Sequence, residues 1–351
     1  MGSGSNRQGG RNRSEVGVLS LVGIIANPAS GKDIRRVVSQ ATTVNNHEKV
    51  SIVRRLLLAL FASGVRRVEI MPDCFGIGER ALDGLRDRSE ISAATTVADL
   101  PVEATAQDSW SAARYLRGAG AGCIVVLGGD GTCRAVAKGC GDVPLLPIST
   151  GTNNVVPSFV EGTVAGAAAA YVALHPNVER TCLCRRHKRL LVSLNGQEVD
   201  QALVEVALVS SCFVGARAVW QADEVLQVFA SRAQPVNIGM SAIPGVVHPV
   251  GPNDPGGVIA IVSRDGREVR VPIAPGSFVL VGIKEVMEMR PGIRYRVAQD
   301  RPAVLALDGE REITLHAGDE AEVRLELDGP WLVDVSRTLL QAVADGMFWT
   351  G

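Results

Sequence analysis

Aromatic side chains are scarce: Phe, Trp and Tyr together make up 4% of the chain. A platform that stacks single-stranded bases needs several, so this function class is disfavoured at once. Charge of one sign is also lacking. There are 36 Lys and Arg against 37 Asp and Glu, a formal net charge of −1, which removes the basic footprint of a nucleic-acid or anionic-membrane partner. No apolar run is long. The run 56–62, for instance, falls far short of the roughly 20 residues a membrane helix needs. Seven cysteines, at 74, 123, 133, 140, 182, 184 and 212, are odd in number and follow no framework; they fit a reduced, cytoplasmic interior better than a disulfide scaffold. The five histidines form no H-E-x-x-H or triad pattern, and Cys182-x-Cys184 with His187 offers three ligands at awkward spacing for zinc. G-x-S-x-G, a Walker P-loop, and G-x-G-x-x-G after the first strand are all missing.

What is present is alternation. With 351 residues there is room for two domains. Residues 1–15 are Gly/Ser/Asn/Arg-rich and apolar-poor, which predicts a disordered tail without a signal-peptide core. Over 16–175, strand-like runs (16–26, 66–71, 101–106, 124–127, 143–148) alternate with helical spacing (49–63, 76–90, 109–118, 133–139, 164–174). That order predicts an α/β domain with a mostly parallel sheet. After a hinge near 174–177 the texture changes. Short, turn-bounded and partly alternating runs (188–194, 202–210, 257–263, 268–273, 277–283, 303–307, 311–315, 321–327) predict an antiparallel β-rich domain over 178–328. The segment 329–351 begins extended and ends helical, and is expected to return to the first domain.

Three small polar loops each follow a predicted strand of the first domain. Gly128-Gly129-Asp130-Gly131-Thr132 ends the apolar run 124–127. Its glycines allow backbone N–H groups to approach an anion closely. Asp130 beside bound phosphate would be unfavourable unless it holds Mg²⁺ or handles a proton. A plain turn with Asp130 as a helix N-cap is the bland alternative. Asn27-Pro28-Ala29-Ser30-Gly31-Lys32 ends the first run, and Ser149-Thr150-Gly151-Thr152-Asn153-Asn154 another. Ligands in open α/β sheets bind at these strand ends. In the second domain, Leu307-Asp308-Gly309-Glu310 carries the Asp-Gly signal of a tight hairpin; a simple type I′ turn with Glu310 in solvent is the alternative there.

Taken in order, N-P-x-S-G-K-D, G-G-D-G-T, S-T-G-T-N-N and L-D-G-E resemble the NAD kinase/diacylglycerol kinase superfamily, and most closely its ATP-NAD kinase-like AcoX group, associated with acetoin catabolism. The resemblance implies a phosphofructokinase-like α/β domain, a β-sandwich second domain, and a nucleotide in the cleft between them. It implies ATP and Mg²⁺ as cofactors and phosphorylation of a hydroxyl group, with NAD the first acceptor to consider and NADP biosynthesis the consequence. It assigns the nucleotide to Asn27, Ser30, Gly31 and Lys32, to Gly128, Gly129, Gly131 and Thr132, to Thr150, Gly151, Thr152 and Asn153, and to Asp308 and Gly309. Asp130 and Glu310 become the catalytic pair, Asp130 orienting the acceptor or binding metal and Glu310 acting as general base. Its partners would be a nucleotide and a small-molecule acceptor, with neither nucleic acid nor membrane, in a homo-oligomer. The NAD kinase T-P-T-G-S-T-A-Y-like stretch has no counterpart, since 239–249 does not match it, and Asn195-Gly196 and Glu205 stand at the wrong spacing for the N-E pair. Another polyol, lipid-like or cofactor acceptor linked to acetoin metabolism, or a nucleotide-binding regulator without catalysis, are the alternatives.

Overall fold

The strand–helix alternation of the first half closes into one parallel sheet. The computed structural model describes residues 20–31, 44–151, 154–210, 224–299 and 302–349; the tail 1–15, Lys32, Thr152 and Asn153 lie outside them. Strands β1 (Leu21–Ala26), β2 (Arg67–Ile70), β3 (Thr95–Val97), β4 (Ala121–Gly128) and β5 (Leu145–Ser149) run parallel in the order β3-β2-β1-β4-β5. Helices α1 (Asn46–Ala62), α2 (Ile77–Asp83), α3 (Ser89–Ala94), α4 (Ala106–Gly118), α5 (Asp130–Cys140), α6 (Gly162–Leu174) and α7 (Arg180–Leu183) follow the chain order. All six residues of β1 are buried because both faces are covered. Val22 and Ile24 meet Leu56, Leu57 and Tyr171 of α1 and α6. Leu21 and Ile25 meet Leu116 and Val136 of α4 and α5 on the other side. The chain runs outward from β1 to β3 and then resumes at β4 on β1's other flank. The loops after β1 and β4 therefore flank a topological switch point, where open α/β sheets hold ligands.

The second half supplies β6 (Cys184–Arg186), β7 (Arg189–Leu194), β8 (Gln197–Ala202), β9 (Glu205–Val209), β10 (Val225–Ala230), β11 (Gly257–Ala274), β12 (Ser277–Met289), β13 (Arg294–Arg296), β14 (Ala303–Leu307), β15 (Glu310–Leu315), β16 (Ala321–Glu326) and β17 (Trp331–Val333), with the short helix α8 (Ala242–Gly245) before β11 and α9 (Val335–Ala344) at the end. Two antiparallel sheets, β12-β11-β10-β9-β14-β15 and β13-β16-β7-β8, face each other. Leu190, Val192, Val323 and Leu325 of one pack on Val206, Leu208, Phe229 and Leu305 of the other, which is the core of a β-sandwich. β17 leaves this domain and joins the first sheet, parallel to β5 through Leu332 and Leu145; β6 pairs antiparallel with β17.

Several element readings change. The run 101–106 is not a strand. The third strand is Thr95–Val97, and Asp108 instead ties down the loop by accepting the N–H groups of Glu103 and Ala104. Thr105 caps α4, its side chain accepting from the Gln107 N–H at 3.2 Å. The segment 76–90 holds the whole of α2 and the start of α3 rather than one helix. α1 starts earlier than its apolar spacing suggests because Asn45 caps it, accepting from Glu48 N–H at 2.8 Å. The run 202–210 is broken at 203–204, where the chain passes from one sheet of the sandwich to the other.

Candidate functional site

The three polar loops converge. The Asn27 side chain donates to Thr132 Oγ1 at 2.9 Å, and its Oδ1 accepts from the Ala29 N–H at 2.8 Å. Ser30 Oγ and Thr150 Oγ1 are 2.9 Å apart, and the Thr150 N–H donates to the Gly128 carbonyl at 3.1 Å. Gly31 has φ +73, and a Cβ there would lie 2.6 Å from the Thr150 carbonyl oxygen. A Cβ on Gly151 would stand 3.2 Å from the Gly129 Cα, and one on Gly129 would stand 2.9 Å from Asn154 Oδ1. Glycine at these positions is what lets the backbones meet. Beneath the first loop lies Lys49, fully buried, whose Nζ donates to the carbonyls of Asn27 (2.8 Å) and Ser30 (3.0 Å) and to Asn46 Oδ1 (3.2 Å). Holding those carbonyls inward shapes the loop around a positive charge. The sequence did carry a signal for it: Lys49 sits on the apolar stripe of α1 with Val53, Leu56 and Leu60.

The N-terminus of α5 opens into this cluster. Gly129 is its N-cap and gives no side-chain cap. The first-turn N–H groups and the helix dipole together would favour an anion there. Glu310, from the hairpin of the other domain, stands against this turn, with Oε1 3.1 Å from where a Gly131 Cβ would be. The hairpin is the tight turn expected: Asp308 and Gly309 have φ +49 and +80, and Leu307 pairs with Glu310.

Asp130 is the first residue of α5 rather than its cap. Its carboxylate takes the Val155 N–H through both oxygens, at 3.1 and 2.9 Å, and the Val156 N–H at 2.8 Å. It thereby pins the chain after the third loop. Burial pushes its carboxyl up to about 7, nearby Asp308 adds to this, and the two N–H groups and Arg232 oppose it. Arg232, which sequence reading missed, donates to the Val155 carbonyl at 2.8 Å.

Asp308, expected among the nucleotide contacts, is fully buried at the domain junction. Its carboxylate accepts the N–H groups of Leu203, Val204 and Glu205 at 2.8–3.3 Å, the point where β8 gives way to β9. Burial raises its pKa, opposed first by Arg134. Arg134, also missed, projects from α5 into the second domain. It lies 2.6 Å from Glu312, 3.3 Å from Asp200 and 3.8 Å from Asp308, while Lys138 reaches Asp200 at 2.5 Å. Burial works against its charge, but these three carboxylates hold its pKa above the usual value. Leu203 and Val204 also pack among the α4–α5 core residues. The same helix thus has an uncapped N-terminus at the loop cluster and the interdomain ion network on its flank.

The glycine cradles and the uncapped helix fit the phosphates of a nucleotide. Both Asp130 oxygens already accept backbone N–H groups, and among the described residues no group of three His, Cys, Asp or Glu is placed to hold a metal. Cys182 is exposed, Cys184 buried, and His187 Nε2 lies 3.2 Å from the Leu203 carbonyl, so this trio is not a metal site.

A parallel switch-point sheet with glycine loops, closed by a β-sandwich, defines a kinase-like class. Residues 22–175 match the ATP-NAD kinase N-terminal domain, and residues 188–328 match the acetoin catabolism protein X C-terminal domain. The chain belongs to the acetoin catabolism protein X family. It is 37% identical over 334 residues to Acetoin catabolism protein X of Cupriavidus necator (strain ATCC 17699 / DSM 428 / KCTC 22496 / NCIMB 10442 / H16 / Stanier 337), covering 93% of each chain. Among solved structures it is similar to yeast NADH kinase complexed with NADH, at 15% identity and TM-score 0.47, over 95% of this chain and 89% of that one.

Proposed function

We propose that the protein is an ATP-dependent phosphotransferase that phosphorylates a hydroxyl group of a small molecule bound in the interdomain cleft. The observation that carries this is the meeting of three glycine-bearing loops at an uncapped helix N-terminus, with the Glu310 carboxylate across from Gly131. The match of the first half to the ATP-NAD kinase domain supports it.

Phosphoryl transfer asks mainly for positioning and charge stabilisation. The N–H groups of Gly131 and Thr132 and the backbone at Gly31 and Gly151 face the donor phosphates, over the buried Lys49 charge. Glu310 accepts the acceptor's hydroxyl proton as the new O–P bond forms and the donor's terminal P–O bond breaks. Asp130 acts by fixing the loop after β5, a positioning role. NAD is the first acceptor to test, followed by other hydroxylated metabolites. We assign the protein to the cytoplasm; among the described residues no helix is long and apolar enough to cross a membrane.

The test is calorimetric ATP binding together with ADP release across that acceptor panel, on the native protein and Glu310→Gln. The expected result is unchanged ATP affinity and a loss of turnover of about 10²–10⁴-fold in Glu310→Gln, the usual worth of a general base. ATP binding without turnover on any acceptor would replace the enzyme with a nucleotide-binding regulator. Failure to bind ATP would sink both.

A further inference from the structure

A second concave site lies at the opposite end of the parallel sheet. It is a cavity of about 330 Å³ at the starts of β4 and β5, bounded by the end of α4, the end of α6 and the segment from α7 into β6. Ala121, Pro144, Val172 and Leu183 give it an apolar floor. Arg117 and Arg180 stand at its rim, with His175 between the helix ends. β4 separates it from the glycine loops by roughly 23 Å, at the usual rise per strand residue.

The charges around it are unbalanced. Three guanidinium groups, those of Arg117, Arg180 and Arg186, act on the Asp142 carboxylate, while Asp334, which acts on the lining Cys184, is already held by Arg185. Arg186 takes the Asp142 carboxylate at 2.8 Å. Among the described residues, neither the Arg117 nor the Arg180 side chain has a hydrogen bond or an ion pair. Each nonetheless lies against a neighbouring surface. Arg117 lies over Gly141, whose φ of +58 and missing Cβ leave room for it; a Cβ there would be 2.7 Å from Arg117 Nε. Arg180 and Arg186 share the Trp331 ring, at 5.6 and 5.1 Å from its centroid. His175 Nδ1 is 2.9 Å from the Tyr171 carbonyl, which leaves Nε2 for another partner. Like charges held together beside an apolar floor, with donors unused, fit an oxyanion attached to a short apolar body.

We propose that this cavity is a binding site for a small carboxylate or phosphomonoester, with Arg117 and Arg180 holding the oxyanion and the apolar floor holding the rest. The site is separate from the interdomain cleft and does not depend on the reaction proposed there. The volume sets an upper limit of a small metabolite rather than a nucleotide.

The probes are butyrate, inorganic phosphate and uncharged butanol, added at constant ionic strength to the full chain and to the double variant Arg117→Gln/Arg180→Gln. Both arginines are exposed, so the variant is expected to fold, which circular dichroism checks. Melting temperature and calorimetry are read. The expected result is saturable binding of butyrate or phosphate, no comparable effect of butanol, and at least about a tenfold weakening in the double variant, from losing charge-assisted hydrogen bonds. The phosphate arm is repeated on Gly129→Ala. Phosphate binding lost there but kept in the double variant would belong to the glycine loops and, without butyrate binding, would overturn the proposal. Equal binding to both proteins, butanol acting as strongly as butyrate, or no saturable binding would also overturn it.

Discussion

Two aspartates, Asp130 and Asp308, spend their carboxylates on backbone N–H groups of their own domains, and each is buried. Their charge therefore has a measurable cost. The folded Asp130 carboxyl keeps its proton up to about pH 7, whereas an unfolded one releases it near 3.8. The folded state thus binds more protons between these values, and this group's contribution to stability falls as pH rises from about 4 through 7. Asp130→Asn keeps an oxygen to accept from Val155 and Val156 and removes the titration. Its melting temperature relative to the native protein is expected to climb between pH 4.5 and pH 8; a gap that stays flat would contradict the assignment. Arg134 gives a second prediction. Arg134→Met leaves Asp200, Asp308 and Glu312 without their buried cation, and a loss of about 3–5 kcal/mol in urea unfolding is expected. A loss under about 1 kcal/mol, the range of an exposed pair, would mean that the network is solvated.

At the scale of elements, α5 does two jobs, and its first turn is where they touch. Gly131→Ala introduces a Cβ 3.1 Å from Glu310 Oε1, so the carboxylate must shift by a few tenths of an ångström. The expected outcome is unchanged folding and ATP affinity with turnover reduced about tenfold, since small misplacements of a reacting group are costly. A matching fall in ATP affinity would show that the turn, not the glutamate, was disturbed. The elements that frame this turn were legible because their signals are local. The apolar run before Gly128, the helical spacing over 49–63 and the Asp-Gly hairpin each lie within one short window. β8, β10 and the break at 203–204 were not legible. The break depends on Asp308, a hundred residues away in the chain, supplying acceptors for three N–H groups. The stretch 101–106 misled for a similar reason: Asp108 rewards a loop there with two hydrogen bonds that no strand pattern announces.

Across the whole molecule, four ordered motifs were enough to foresee the α/β domain and the sandwich, and to bring Asn27, Ser30, Gly129 and Thr150 together. The bonds joining the two domains were invisible because Arg134 meets partners 66 and 178 residues away. That network, with Leu203 and Val204 packed into the first domain's core, predicts that the two domains unfold as one. Calorimetry of the native protein should show a single transition, and Arg134→Met should separate it into two; two transitions in the native protein would refute the coupling. The path of β17 adds a consequence for synthesis. A ribosome delivers β5 long before it delivers residues 331–333, so while the entire β-sandwich is being made the nascent parallel sheet waits with β5's outer edge open at Leu145, only its Ile148 end covered by the bridge to Ser158. Whatever covers that edge in the interval has to leave before Leu332 can take its place beside Leu145.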